Sequence, residues 1–244
     1  SKKKRGGIVM QNFIGLVGII VILGIAVAFS SDRKKINIRI VGSALGLQTL
    51  VAVLVLYSET GREVIDWISK GVLAVIGYSK AGIDMVFGPL ADVSNSGFIF
   101  AIQVLSIIIF FSALMSVLYH LRIMEWIVKI VGGGMHKIVG TDPIESMNAA
   151  ANIFVGQTEA PLVVKPYLKD LSEAQTFTVM VSGVASIAGT VLAGYVLMGV
   201  ELKYLLAASL MAAPGGLVMA KIIMPDENIS QNGFDKKIII KSSS

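Results

Sequence analysis

The sequence predicts an all-α integral membrane protein, with transmembrane helices beside amphipathic interfacial helices and a re-entrant helical hairpin. Three observations carry that prediction. The 244 residues are 55% hydrophobic and 15% charged, with a mean hydropathy of +0.78, whereas a soluble domain holds roughly 45–50% apolar and about 25% charged residues. The apolar residues gather in charge-free runs long enough to cross a bilayer. Two shorter apolar pieces flank a polar tip, Val155-Gly-Gln-Thr-Glu-Ala-Pro161. So much apolar surface excludes disorder, and on a soluble enzyme it would leave large exposed patches.

Ile8 to Phe29 carries no charge and at about 1.5 Å per residue spans the hydrocarbon layer. It is longer than the core of a signal peptide and reads as a retained helix. Ile40 to Tyr57 follows a tight basic turn, so the first two spans run antiparallel. In residues 61–92, Arg62, Glu63, Asp66, Lys70, Lys80 and Asp84 interrupt an apolar stripe that includes Ile65, Ile68, Val72 and Ile76. That pattern predicts an interfacial helix with Trp67 at headgroup depth.

Gly97 to Tyr119 is a third span, and His120 to Trp126 opens a second interfacial stretch ending at Gly132-Gly-Gly134, which reads as a flexible joint. Ala174 to Val200 is long enough to span, though Gly183, Gly189 and Gly194 loosen it. Tyr204 to Met224 is a further span, broken midway by Ala213-Pro-Gly-Gly216. The chain thus divides into N-terminal spans and interfacial helices (1–142), a part with the polar tip and glycine-loosened spans (143–225) and a polar tail (226–244).

A net charge of +5 and a pI near 9.3 would suggest nucleic acid in a soluble protein. Here the basic residues flank apolar runs, which orients a protein in a lipid bilayer and implies no nucleic-acid partner. Arg33, Lys34, Lys35 and Arg39, with Arg122, Lys129, Lys137, Lys165, Lys169 and Lys221, favour an outside N-terminus, against which Lys2 to Arg5 stand. There is no cysteine and only His120 and His136 as histidines. With no nucleophile–base constellation, enzymatic chemistry is disfavoured.

The least ordinary segment is 143–170. Proline removes a backbone donor and glycine permits reversal, so the two apolar pieces predict a hairpin that enters the membrane and returns. Gly156, Gln157, Thr158 and Glu159 then stand at its tip. Non-helical backbone at that depth is tolerated only where it lines a cavity, and half-helix termini there face a solute or ion. Amide, hydroxyl and carboxylate together both donate and accept, which suits a neutral polar solute. An acid within a span costs about 2.5–3.5 kcal/mol and is functional by default; the bland alternative is a hydrated surface loop.

Ser182-Gly-Val-Ala-Ser-Ile-Ala-Gly-Thr190 offers two readings. Its small residues suit close helix packing, or the helix unwinds and frees carbonyls for a cation. Asn152 and Ser186 could each add a side-chain oxygen, and oxygen ligands suit a hard ion such as Na⁺.

These segments resemble the concentrative nucleoside transporter family, in its bacterial sodium-coupled form. Asn148-Ala-Ala-Ala-Asn-Ile-Phe-Val-Gly-Gln-Thr-Glu-Ala-Pro-Leu-Val-Val164 is similar to the family's first re-entrant hairpin. Ser182 to Tyr195 is similar to the unwound helix that follows, Ala207 to Gly216 to the next helix, and Phe110 to Tyr119 to the long scaffold helix. The resemblance implies that Gln157, Thr158 and Glu159 face the nucleobase and that Val191 packs on it. It also implies that Asn152 and Ser186 side chains, with the carbonyls of Val155 and Ile187, hold a coupling Na⁺.

The family further implies a nucleoside substrate, a homotrimer in the bacterial cytoplasmic (inner) membrane, and an elevator motion of half of an inverted repeat. The family's second half, which completes the ribose site, has no counterpart here, so the chain reads as an N-terminal half, apparently truncated. A non-transporting membrane fragment and a proton-coupled nucleoside transporter are the alternatives.

Overall fold

The computed structural model describes residues 2–226, with side chains from Ile14 onward except those of Leu56 and Thr190. The predicted tail lies, beyond Asp226, outside the described residues. Among the described residues all regular structure is helical. Helix α1 (Lys2–Ala28) ends in a basic turn that serves as its cap. The Arg33 guanidinium donates to the Val27 carbonyl at 3.0 Å and to that of Ala28 at 2.9 Å, satisfying carbonyls a helix end leaves orphaned. Asn37 Oδ1 then accepts from the Arg39 amide at 3.1 Å and caps α2 (Ile38–Tyr57).

Ser58 separates α2 from α3 (Glu59–Phe87). A 3₁₀ turn (Gly88–Ala91) and the short α4 (Val93–Ser96) lead into a π-helical turn (Ala101–Leu105), which continues as α5 (Ser106–His120). Helix α6 (Ile123–Val139) precedes α7 (Pro143–Ala151) and the one-turn α8 (Ala160–Val163), followed by a 3₁₀ stretch (Lys165–Asp170). The chain closes with α9 (Glu173–Val184), α10 (Gly189–Leu197) and α11 (Leu202–Ile223).

By length and composition, Ile38–Val55, Glu59–Ser96, Ala101–His120 and Leu202–Ile223 can each cross a membrane, and Ile14–Ala28 is a shorter apolar helix. Only α11 is central: 56% of its span is buried inside the chain, against 11% for that of α2. It packs on α2 at one side and α9 at the other. The main core joins Val128 and Met135 of α6, Ala149 to Ala151 of α7, Ile153 and Val155 between α7 and α8, Ala160 of α8, and Ala213 and Leu217 of α11. The outward faces are apolar as well, with Ile20, Ile109, Met85 and Val184 all exposed. That distribution suits lipid and would be insoluble as a water-facing surface.

Residues 61–92 lie in the long amphipathic α3 and its continuation, which by length and composition can also cross. Their charges are partly paired, as in Lys80–Asp84 at 2.9 Å. Three other expectations change. Gly132-Gly-Gly134 is no joint: α6 runs through it, with Met124, Val128, Gly132, Met135 and Val139 forming one buried stripe. A Cβ at Gly132 would lie 2.9 Å from the Met147 Cα, so glycine here permits contact between α6 and α7. Ala213-Pro-Gly-Gly216 likewise lies within an unbroken α11, where Ala213, Pro214 and Gly216 are buried. The predicted span 174–200 is instead two half-helices, α9 and α10, separated at residues 185–188.

Candidate functional site

Helix α7 begins with a capping box, the Ile144 amide donating to Asp142 Oδ1 at 2.8 Å and the Asp142 amide to Glu145 Oε2 at 3.2 Å. Its other end stops at Ala151, and residues 152–159 form turns rather than helix. Proline at the second position of α8 restarts the helix, where its missing N–H costs nothing. The hairpin-like sequence therefore folds as helix, irregular turn and helix.

The two breaks, at residues 152–159 and 185–188, lie against each other. A Cβ on Gly189, at the start of α10, would come within 2.0 Å of the Phe154 carbonyl oxygen. No larger residue fits without moving backbone. A Cβ on Gly156 would rest 3.5 Å from the Ala188 Cβ, and one on Gly183 would rest 3.0 Å from the Gln157 Cβ. Within Ser182–Thr190 the glycines permit close packing and the helix is interrupted. From α11, Ser209 Oγ donates at 3.0 Å to the Ile153 carbonyl, which the turn leaves outside any helix.

Of the residues expected to hold a cation, Asn152 is fully buried, and its Nδ2 donates to the Asn148 carbonyl at 3.0 Å. Its Oδ1 is buried without a hydrogen-bond partner. Val155, fully buried, lies in the first break; Ser186 and Ile187, half-buried, lie in the second. Ser186 Oγ donates to the Gly183 carbonyl at 3.1 Å, which leaves its lone pairs available. Among the described residues, no cluster of three or more histidine, cysteine or acidic side chains could hold a metal. Neutral oxygens are what the breaks offer, and these suit a monovalent hard cation.

Of the residues expected to face a solute, Gln157 and Thr158 are exposed on this chain. Glu159 is half-buried and its Oε2 accepts from the Gly156 amide at 3.4 Å. Val191 is half-buried in the first turn of α10, two residues beyond the Gly189 contact.

Sequence reasoning missed two buried groups. Glu145, wholly enclosed, accepts from Lys221 Nζ at 2.6 Å, and Lys221, 3% exposed, also donates to Asp226 at 2.7 Å. Asn148, also enclosed, donates through Nδ2 to Ser182 Oγ at 2.8 Å and to the Val179 carbonyl at 3.2 Å. The Asp142-Pro-Ile-Glu145 capping spacing was a visible signal for the first, and the Asn148/Asn152 spacing of one helical turn for the second.

Known proteins agree with this geometry. Residues 17–90 match the family model described as "Na+ dependent nucleoside transporter N-terminus", and residues 101–201 match "Nucleoside recognition". An uncharacterized transporter of Haemophilus influenzae is 54% identical over 88% of this chain and 52% of its own length. The nucleoside permease NupC of Helicobacter pylori is 48% identical over 92% of this chain and 55% of its own. The solved structure of CNTnw in an inward-facing substrate-bound state is 49% identical, with a TM-score of 0.85 over 90% of this chain and 54% of that one. The chain thus spans about half the length of the curated relatives it matches. Its apolar helices and bacterial relatives make it part of a multi-pass protein of the bacterial cytoplasmic membrane. With the folded breaks and both matched segments in agreement, the chain belongs to the concentrative nucleoside transporter family.

Proposed function

We propose that the full-length protein is a sodium-coupled nucleoside symporter, and that this half carries its coupling-cation site and the nucleobase part of its solute site. The observation that carries the reading is the contact between the two breaks, with an unpaired, buried Asn152 Oδ1 beside them. Asn152 and Ser186 supply side-chain oxygens to Na⁺, and Val155 and Ile187 supply carbonyls released from helical ladders. Gln157, Thr158 and Glu159 donate to and accept from the base, while Val191 packs on its face. The family description "Na+ dependent" supports sodium as the ion.

Residues 143–225 move as an elevator past residues 1–142, within a homotrimer. Neutral ligands hold sodium only when several converge, so solute and ion stabilise one arrangement of the breaks, which couples their binding.

The test is nucleoside binding by the full-length protein carrying Glu159→Gln. Binding should weaken at least tenfold while the thermal unfolding midpoint stays within a degree or two. Unchanged affinity would remove Glu159 from the site and return it to a solvated turn.

A further inference from the structure

Asn148 and Asn152 stand one turn apart at the C-terminal end of α7, both fully enclosed by the chain. The amide of Asn148 has only one satisfactory orientation. Ser182 Oγ donates to the Thr178 carbonyl at 2.8 Å and shares that hydrogen with the Val179 carbonyl at 3.1 Å. It can therefore only accept from Asn148, and the Nδ2 group at 2.8 Å meets that need while reaching the Val179 carbonyl at 3.2 Å. Turning the amide over would press its oxygen against the Val179 carbonyl and the Ser182 lone pairs. Oδ1 is thus held on the other side, buried and without a partner.

Asn152 repeats the pattern. Its Nδ2 is committed to the Asn148 carbonyl at 3.0 Å, and its Oδ1 is likewise buried and unpaired. Two enclosed amide oxygens on successive turns of one helix is an uncommon pairing, since a buried acceptor left unmade costs about 1–3 kcal/mol. Both are closed off inside this chain, so no outside polypeptide reaches them without rearrangement. A water could donate one hydrogen to each, but the negative end of the α7 dipole favours a positive charge there.

We propose that Asn148 Oδ1 is a further cation ligand, extending the Asn152, Val155, Ser186 and Ile187 set inward by one helical turn of α7. Asn152 joins the two, because its Oδ1 is the enclosed oxygen one turn from that of Asn148. The inference rests on sodium coupling, and Ser182 acts in it as a positioning residue that holds the Asn148 amide. Neutral oxygens select a monovalent ion over Ca²⁺, which takes carboxylates.

The experiment uses the full-length protein in detergent and measures two quantities against NaCl, with choline chloride holding ionic strength. These are the sodium concentration giving half-maximal nucleoside binding, and the rise in unfolding midpoint that sodium causes. Asn148→Leu should raise the half-maximal sodium concentration at least tenfold and shrink the sodium-induced rise. The midpoint without sodium should fall only by what the two lost Nδ2 hydrogen bonds account for, so the sodium response is the quantity that decides. Asn148→Ala, which removes Oδ1 without adding bulk, should shift the sodium response in the same direction.

A loss of sodium-free stability with an unchanged sodium response would overturn the proposal, leaving Asn148 a packing residue. So would an Ala variant whose sodium response is unchanged, which also decides the matter if the Leu variant fails to fold. A sodium response abolished by Asn152→Ala but untouched at Asn148 sinks this inference alone. Wild-type binding that ignores sodium sinks the coupling reading and this inference with it.

Discussion

Lys221 and Glu145 are separated by 76 positions, yet they meet at 2.6 Å with both side chains enclosed. Removing one member of such a pair strands a buried charge and costs about 3–5 kcal/mol, whereas replacing both with apolar or neutral groups is often close to neutral. Lys221→Met should therefore lower the unfolding midpoint by several degrees, and adding Glu145→Gln should restore most of the loss. Equal losses in the single and double variants would show that the pair is not what matters. Gly189 makes a different demand: an alanine Cβ 2.0 Å from the Phe154 oxygen forces backbone to move, at about 1–3 kcal/mol or more. Gly189→Ala should reduce both stability and sodium-dependent nucleoside binding.

The tip triplet and the small-residue run could be read from sequence because glycine, proline and consecutive polar residues are rare inside apolar stretches. Glu145 and Asn148 could not be ranked that way. Their burial comes from partners on α11 and α9 that no local pattern names.

At the scale of elements, the central juxtaposition depends on three helices. Helix α6 backs α7 through the gap that Gly132 leaves for Met147, and α11 steadies the first break through Ser209. Gly132→Val should push α6 and α7 apart and cost about 1–3 kcal/mol, seen as a lower midpoint in detergent. Ser209→Ala removes a hydrogen bond worth about 0.5–1.5 kcal/mol and should loosen the turn at Ile153, seen as faster amide exchange there than in α11.

Sequence alone located most helices, but it misjudged continuity. Local propensity says that Gly132-Gly-Gly134 and Pro214-Gly215-Gly216 interrupt a helix. Tertiary packing wins: Gly132 lets α6 approach α7 and Gly216 lets α11 approach α9, while Gly133 and Gly134 face open space. The opposite error occurred at 174–200, where an apolar stretch of spanning length is two half-helices. The break at residues 185–188 holds because the first break packs directly against it, and that contact is not local either.

For the whole molecule, the apolar exterior and the polar interior of residues 143–225 follow from one rule. In lipid, irregular backbone survives only where protein surrounds it, and the two breaks pack against each other. Gln157 and Thr158 are exposed on this chain, as the proposed contact with solute requires. Family membership supports the nucleoside transport proposed for the full-length protein, and the neutral oxygens of Asn152 and Ser186 support the sodium coupling proposed with it.

The most direct measurement is uptake of radiolabelled uridine by vesicles holding the full-length protein, with an inward sodium gradient and with equal sodium on both sides. Uptake above the external concentration under the gradient, collapsing to simple equilibration without it and abolished by Asn152→Ala, is the predicted result. Accumulation that is indifferent to sodium, or driven equally well by a proton gradient in its absence, would contradict it.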